Sequence, residues 1–140
     1  MAVSDRKRLL QGIELFEGAK GAELTRLAQA SEEVRFVAGD ELIDQGDVGR
    51  EAYFIVDGTV VVRRNNRRIA TLGPGAPVGE LSLLDRGPRT AHVTAESDVV
   101  ALRLTAKEFD GVLRDCPDLT RRLLATLAGR VRELDRRIVG

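Results

Sequence analysis

Short runs of β-branched and aromatic residues, separated by turn residues, fill the middle of the chain from residue 33 to residue 104. Two of the turns, Asp57-Gly58 and Asn65-Asn66, are dipeptides typical of tight β-hairpins. Many short strands joined in this way favour an antiparallel barrel or sandwich of the jelly-roll kind. We therefore expect an antiparallel β-roll over residues 33–104, with its longer strands at 51–56, 59–64, 67–72, 89–95 and 98–104.

Apolar residues recur at helical spacing on both sides of this strand-rich region. Residues 1–32 are therefore expected to form a helical lead-in. After the roll, Thr105 is followed by Glu108 at the spacing of a capping box, which predicts the first of two helices within residues 105–140. The predicted fold class is α+β: a jelly-roll-like barrel flanked by N-terminal helices and a C-terminal helix pair, in a single domain of 140 residues.

The last predicted helix, over residues 118–138, carries apolar residues at alternating spacings of three and four, as in a coiled-coil seam. The residues of this seam are Leu124, Leu127, Val131, Leu134 and Ile138. A seam of this kind either packs on the roll of its own chain or pairs with the same helix of a second chain. A monomer and a homodimer are therefore both open at this point.

The charge of the chain is balanced, with 22 Lys and Arg residues against 22 Asp and Glu residues. This balance gives no electrostatic basis for binding nucleic acid or an anionic membrane. No apolar run approaches the length of a membrane span, and the first residues lack a signal-peptide pattern. The one cysteine, Cys116, excludes a disulfide within the chain. We therefore expect a cytoplasmic protein that binds neither nucleic acid nor membrane.

The residue types that most enzymes use are sparse. His92 is the one histidine, so neither a histidine-based metal cluster nor a Ser-His-Asp triad is convincing. Gly73, Gly75 and Gly79 give a glycine-rich segment, but no Gly-Lys-Ser/Thr follows, which excludes a P-loop. The sequence therefore predicts no catalytic residues and no metal ligands.

The stretch from Gly79 to Ala91 brings several ligand-binding groups into one short loop. Gly79 permits a tight turn and the close approach of a ligand. The short helix expected after it offers backbone N–H groups that suit an anion, and Arg89 presents a fork of donors that matches two phosphate oxygens. The Glu80 carboxylate would repel a second anion but accepts a hydrogen bond from a hydroxyl group. A nucleotide whose phosphate is held close to its sugar satisfies all of these groups.

This stretch resembles the phosphate-binding cassette of cyclic nucleotide-binding domains, the family of the catabolite activator protein, the protein kinase A regulatory subunit and cyclic nucleotide-gated channels. The family pattern is Gly-Glu-Leu-(Ser/Ala)-Leu-Leu, a short variable loop, and Pro-Arg-(Ser/Thr/Ala)-Ala. Pro77 and Val78, just before the cassette, depart from the family, which often has a larger residue at the second position. The residues that match the pattern are Gly79, Glu80, Leu81, Ser82, Leu83, Leu84, Pro88, Arg89, Thr90 and Ala91.

The resemblance implies roles for individual residues. Arg89 would pair with the cyclic phosphate, helped by Ser82 and by backbone N–H groups from Leu81 to Leu83. Glu80 would accept a hydrogen bond from the ribose 2′-hydroxyl, and Thr90 would contact the phosphate or a syn purine. The remaining residues of the predicted site are Gly79 and Ala91 in the cassette, Val62, Ile69 and Ala70 beside the sugar and base, and Arg130 and Leu134 as a lid on the last helix.

The function implied is that of a sensor that binds cyclic AMP or cyclic GMP, performs no catalysis and couples binding to movement of its C-terminal helix. It would act on an effector protein that the sequence does not identify, and it would need no cofactor beyond the nucleotide. One alternative is the sensor half of a catabolite activator protein-like transcription regulator without its DNA-binding domain. Another is an adaptor that keeps the fold but has lost the ligand, which is less favoured because both Glu80 and Arg89 are present.

Overall fold

Two four-stranded antiparallel sheets pack against each other in the computed structural model, which describes residues 1–139. One sheet has the strand order β1-β8-β3-β6 and the other has the order β2-β7-β4-β5. The strands are β1 (Glu32–Phe36), β2 (Glu41–Ile43), β3 (Glu51–Asp57), β4 (Val60–Arg64), β5 (Arg67–Leu72), β6 (Pro77–Val78), β7 (His92–Ala95) and β8 (Val99–Thr105). The predicted antiparallel roll is confirmed, although within residues 1–139 the two sheets are not closed into one barrel.

Helices precede the roll, interrupt it once and follow it. The helices are α1 (Val3–Gln11), α2 (Gly21–Ala30), α3 (Ser82–Asp85), α4 (Ala106–Asp115) and α5 (Pro117–Val139), with a 3₁₀ turn at Glu14–Phe16. The predicted cap of the first C-terminal helix is present, because Thr105 Oγ accepts the Glu108 N–H at 3.1 Å. In residues 1–139, no helix combines the length and the apolar character needed to cross a bilayer.

The hairpin between β4 and β5 has a two-residue turn with an irregular register beside it. Asn65 and Asn66 both have positive φ angles, 52° and 66°, as a tight type I′ turn requires. The turn pairs Arg64 with Arg67, but farther from the turn Val62 pairs with Ala70. Ile69 is therefore an extra residue on β5, a bulge that offsets one strand against the other.

The segment after the cassette differs from the prediction of a strand over residues 89–95. Strand β7 begins only at His92. Before it, Pro88 forms an isolated bridge with Val48, and the Arg89 N–H donates to the Asp47 carbonyl at 2.6 Å. These hydrogen bonds hold the chain against the loop before β3, so it cannot join the sheet earlier.

The core consists of two apolar clusters, one inside the roll and one between the roll and the helices. In the second, Phe16 lies between Phe54 of β3 and Phe109 of α4, with ring centroids 5.8 and 6.2 Å apart. Leu83 of the short helix α3 belongs to this cluster and is 2% exposed. The cassette is thus anchored by an apolar side chain in the core that also holds α4.

The apolar stripe along helix α5 is buried over its first turns and mostly exposed beyond them. Leu119 and Leu123 are buried against the domain, and Leu127 packs on the same cluster. Four other residues of the stripe are exposed on the described part of the helix: Leu124, Val131, Leu134 and Ile138. The helix therefore packs on its own chain mainly through its first turns.

Candidate functional site

Arg89 lies at the centre of the cassette and is 8% exposed. Its Nη1 donates to Ser82 Oγ at 2.9 Å and reaches the Gly79 carbonyl at 3.4 Å. Its Nη2 donates to the Glu51 carbonyl at 2.7 Å and lies 3.5 Å from the Glu51 carboxylate. The guanidinium is thus held between the cassette and β3, and Glu51 balances its charge.

Two glycines leave the space in which this guanidinium sits. A Cβ atom at Gly79 would collide with Arg89 and would lie 2.9 Å from Ile43 Cδ1. A Cβ atom at Gly49 would collide with the Ser82 side chain and lie 3.2 Å from Arg89 Cζ. Gly79 also has a φ of +70°, which side chains disfavour. Both positions therefore require glycine if Arg89 is to keep its place.

The backbone of the cassette offers different N–H donors from those predicted. The Ser82 N–H donates to the Gly79 carbonyl at 3.2 Å, and the Leu83 N–H donates to the Glu80 carbonyl at 3.1 Å. Because these two groups close tight turns, they are not available to a ligand without a change of conformation. Within the described residues, the N–H groups of Glu80 and Leu81 have no backbone acceptor. Of the predicted donors from Leu81 to Leu83, the structure leaves only the first free, and Glu80 adds a second.

A cavity of 280 Å³ lies beside the Arg89 guanidinium and the cassette backbone. Glu80 is half-buried at its edge, Leu81 is 51% exposed, and Thr90 is exposed. The structure therefore brings seven of the ten residues that match the family pattern together around one cavity, whereas Leu83, Leu84 and Ala91 do not line it. Its lining consists of Gly79, Glu80, Leu81, Ser82, Asp85, Gly87, Pro88, Arg89 and Thr90.

A second cavity, of 200 Å³, adjoins the first and shares Gly79 and Thr90 with it. Of the residues predicted to lie beside the sugar and base, Val62 lines this cavity, whereas Ile69 and Ala70 do not; the cassette residue Ala91 also lines it. Ile69 is 49% exposed, because it is the extra residue of the β5 bulge. The other lining residues are Ile43, Arg64, Leu72, Pro77, Val78 and Val93.

The predicted lid residues lie elsewhere in this structure. Arg130 Nε donates to a Glu14 carboxylate oxygen at 2.9 Å, and Leu134 is 56% exposed. Both line a cavity of 820 Å³ between residues 14–18 and helix α5. That cavity is larger than those at the cassette, but two of the arginines that line it, Arg122 and Arg130, are already paired with Glu23 and Glu14. The assignment of Arg130 and Leu134 as a lid remains a prediction.

Sequence reasoning missed three residues that shape the site. Glu51 is the counter-charge of Arg89, Gly49 makes room for Ser82, and Arg64 donates its Nε–H to the Thr90 carbonyl at 2.9 Å. Burial is the main cause that raises the pKa of Tyr53, and the nearby Glu51 carboxylate raises it further. The Tyr53 hydroxyl lies 3.4 Å from that carboxylate. Glu51, Gly49 and Arg64 all lie outside the cassette pattern, and their contacts with Arg89, Ser82 and Thr90 join distant parts of the chain.

One group outside the site contains three side chains of metal-binding type. Ligand atoms of Glu41, Asp44 and His92 lie within 4.8 Å of one another. The neighbouring Asp44 raises the pKa of the Glu41 carboxyl, and His92 Nδ1 accepts the Gln45 N–H at 3.2 Å. Because these carboxyl groups are exposed and the imidazole nitrogen already has a donor, we assign the group no binding role.

Comparison with known proteins gives matches over most of the chain. Residues 33–116 match the family described as "Cyclic nucleotide-binding domain". The Pycsar effector protein XpPycTIR of Xanthomonas perforans is 38% identical over 109 residues, which are 77% of this chain and 36% of that protein. The Cyclic AMP receptor protein of Thermus thermophilus is 33% identical over 131 residues, 90% of this chain and 61% of that protein. The chain thus spans less than two thirds of these relatives.

A solved structure with a similar fold is that of the N-terminal domain of a transcriptional regulator from Streptomyces coelicolor A3(2). It superposes with a TM-score of 0.86 at 32% sequence identity, covering 91% of this chain and 95% of that one. The family match contains the whole cassette, and the structural match contains most of the helices as well. The chain therefore belongs to the cyclic nucleotide-binding domain family.

Proposed function

We propose that this chain is a single regulatory domain that binds a cyclic nucleotide, without catalysis, and passes the binding event to its C-terminal helix. The observation that carries the proposal is the position of Arg89. Its buried guanidinium is fixed by Ser82 and Glu51 beneath a cavity that the cassette lines. Because this guanidinium is buried and its position is preformed, a charge-assisted pair with a phosphate is stronger there than it would be at an exposed surface.

The charges around the site favour a ring-closed phosphate. A cyclic phosphate diester carries one negative charge, whereas a 5′-monophosphate carries up to two. Glu80 lines the cavity, and Glu51 lies 3.5 Å from the Arg89 guanidinium. The carboxylates of Glu80, Glu51 and Asp85, which also lines the cavity, therefore disfavour the more highly charged ligand, and Glu80 would accept a hydrogen bond from the ribose 2′-hydroxyl.

Titration calorimetry with cyclic AMP, cyclic GMP and 5′-AMP tests this proposal. We expect saturable binding of one molecule per chain for at least one cyclic nucleotide and at least tenfold weaker binding of 5′-AMP, about 1.4 kcal/mol. Absence of binding by either cyclic nucleotide would leave the ligand-free adaptor as the better description. Equal binding of 5′-AMP would refute the role of ring closure.

The contacts of helix α5 support coupling. On one side, α5 is held to the N-terminal residues by ion pairs of Arg122 with Glu23 and of Arg130 with Glu14. On the other side, the cassette reaches α4 through the ion pair of Arg86 with Asp110 and through the core side chain of α3. A ligand that moves the cassette would shift these helices, provided that it binds one of their positions better than the other.

Spin labels on either side of the 820 Å³ cavity test this coupling. We would place them at Glu17 and Glu133, with Cys116 replaced by Ser, since both glutamates line that cavity. If α5 leaves the N-terminal residues to cover the cassette, the distance between the labels lengthens at saturating cyclic nucleotide. An unchanged distance distribution with ligand bound would indicate a passive binder.

The exposed stripe on α5 supports a homodimer. Its four exposed residues, Leu124, Val131, Leu134 and Ile138, follow the spacing of a two-stranded coiled coil.

The Thermus relative is named as a receptor for cyclic AMP, and XpPycTIR is named as an effector. We therefore propose cyclic AMP or cyclic GMP as the ligand and a further protein or domain as the recipient of the signal.

A further inference from the structure

We propose that Arg64 reads the base of the bound nucleotide and selects one with a carbonyl oxygen on its edge, such as guanine, over adenine. This inference rests on the proposed function and identifies the class of ligand. It starts from the second cavity, which is lined almost wholly by apolar side chains and backbone. Among the lining residues that the structure describes, Arg64 is the one charged side chain.

The strand places Arg64 on the inner face of the roll. Val60 of β4 lies in the core cluster of the roll, and Val62 packs against that cluster and lines the cavity. Because side chains alternate along a strand, Arg64 shares the face of these two valines, whereas Arg63 lies on the opposite face. The two-residue turn that follows fixes this register, because it pairs Arg64 directly with Arg67.

One hydrogen bond holds the Arg64 side chain at the mouth of the site. Its Nε–H donates to the Thr90 carbonyl at 2.9 Å, and Thr90 belongs to the linings of both cavities. Within residues 1–139, Nη1 and Nη2 have neither a hydrogen-bond acceptor nor a carboxylate partner. The guanidinium is thus anchored at one nitrogen and keeps both terminal groups free beside a cavity with apolar walls.

The chemistry of a guanidinium determines which base it favours. Arginine carries only donors, and its pair of terminal groups matches two adjacent acceptors. Guanine presents such a pair in O6 and N7, whereas adenine presents N7 beside an amino group that is itself a donor. A small number of polar groups fixes orientation and specificity in a mostly apolar pocket, and Arg64, an exposed residue, is the charged group at the edge of this one.

Cyclic GMP, cyclic IMP and cyclic AMP make up the test. Cyclic IMP shares O6 and N7 with cyclic GMP but lacks its 2-amino group, so it separates the contact of Arg64 from any contact with that amino group. We expect the unmodified protein to bind cyclic GMP and cyclic IMP at least about tenfold more tightly than cyclic AMP, within the range of a bidentate arginine–guanine pair.

Two substitutions and one control complete the experiment. Arg64→Ala is expected to lower the affinity for cyclic GMP and cyclic IMP at least about fivefold and to change the affinity for cyclic AMP less than about twofold. The variant would therefore no longer discriminate between the bases. Arg64→Gln keeps an N–H donor for the Thr90 carbonyl but loses the fork, so it gives the same result even if the alanine variant folds poorly. Arg63→Ala, on the opposite face of the same strand, should leave all three affinities unchanged.

The outcomes separate this inference from the proposed function. If none of the three nucleotides binds the unmodified protein, the proposed function itself is wrong. If they bind but cyclic AMP is preferred, Arg64 does not select a carbonyl-bearing base. An equal loss of all three affinities in Arg64→Ala would mean that the side chain serves the phosphate or the fold, and would also overturn the inference.

Discussion

Replacement of Arg89 by alanine should weaken cyclic nucleotide binding tenfold to more than a hundredfold while leaving a folded protein. A guanidinium has five N–H donors. In the structure, two of them make short bonds, to Ser82 Oγ at 2.9 Å and to the Glu51 carbonyl at 2.7 Å. The contacts with the Gly79 carbonyl and the Glu51 carboxylate are longer, at 3.4 and 3.5 Å, and Nε has no partner among the described residues.

These distances set the expected magnitude. A phosphate can take the Nε–H and one terminal N–H without breaking either short bond. Two charge-assisted bonds form, but the phosphate then replaces the Glu51 carboxylate as the counter-charge, so we count one bond as the net gain. One such bond contributes about 1.5–3 kcal/mol, which corresponds to roughly a tenfold to 150-fold change in affinity. Arg89→Lys keeps the charge but loses the fork, so its affinity should fall between those of alanine and arginine.

Titration calorimetry with cyclic AMP and cyclic GMP measures the effect, and circular dichroism shows whether each variant is folded. Arg67→Ala is the matched control, because this arginine is exposed on β5 and lines neither cavity of the site. A folded Arg89→Ala protein that binds both nucleotides as tightly as the unmodified protein would refute the cassette assignment.

Three further predictions concern packing, ionisation and assembly. Gly49→Ala should lower stability by about 1–3 kcal/mol and weaken nucleotide binding, because its Cβ meets Ser82 and Arg89; a melting temperature equal to that of the unmodified protein would contradict this. Tyr53 is the one tyrosine in a chain without tryptophan, so absorbance at 295 nm reports it alone. Burial raises its pKa, so its ionisation midpoint should lie above the value of about 10 for free tyrosine, and stability should be kept below that pH and lost as pH rises through the folded pKa. A midpoint at or below that of free tyrosine would refute the burial argument. Val131→Asp should turn a dimer into a monomer in sedimentation equilibrium, and a monomeric unmodified protein would exclude pairing through α5.

Local sequence signals predicted the elements well where the interactions are local. The Asn65-Asn66 turn and the Thr105 cap depend on neighbouring residues, and both are present. The contacts that complete the site are long-range: Arg89 meets Glu51 across 38 positions, and Arg64 meets Thr90 across 26. No periodicity or spacing reveals such partners, because they depend on how the sheets pack.

The burial of the apolar face of α5 also depends on long-range packing that the sequence does not show. Spacing alone predicted an apolar face on α5 but not how much of that face its own domain would cover. The structure buries Leu119 and Leu123 and leaves Val131 exposed, because the apolar cluster beneath the helix covers only its first turns. Similarly, the turn signal before α3 did not show that tight hydrogen bonds already occupy the Ser82 and Leu83 amides.

The length of the β4–β5 hairpin has a consequence for how ligand preference could change. The side chain that points into the roll at the end of β4 is determined by the number of β4 residues between Val62 and the turn, because side chains alternate along a strand. Adding or deleting one residue of β4 between Val62 and Arg64 would exchange inward and outward positions near the tip, whereas deleting the bulge residue of β5 would leave the alternation of β4 unchanged. A protein with such a change in β4 would present Arg63 or an asparagine to the nucleotide, while its cassette stayed intact. Insertions and deletions at this end of β4 would then change which base the domain prefers without changing how it binds the phosphate.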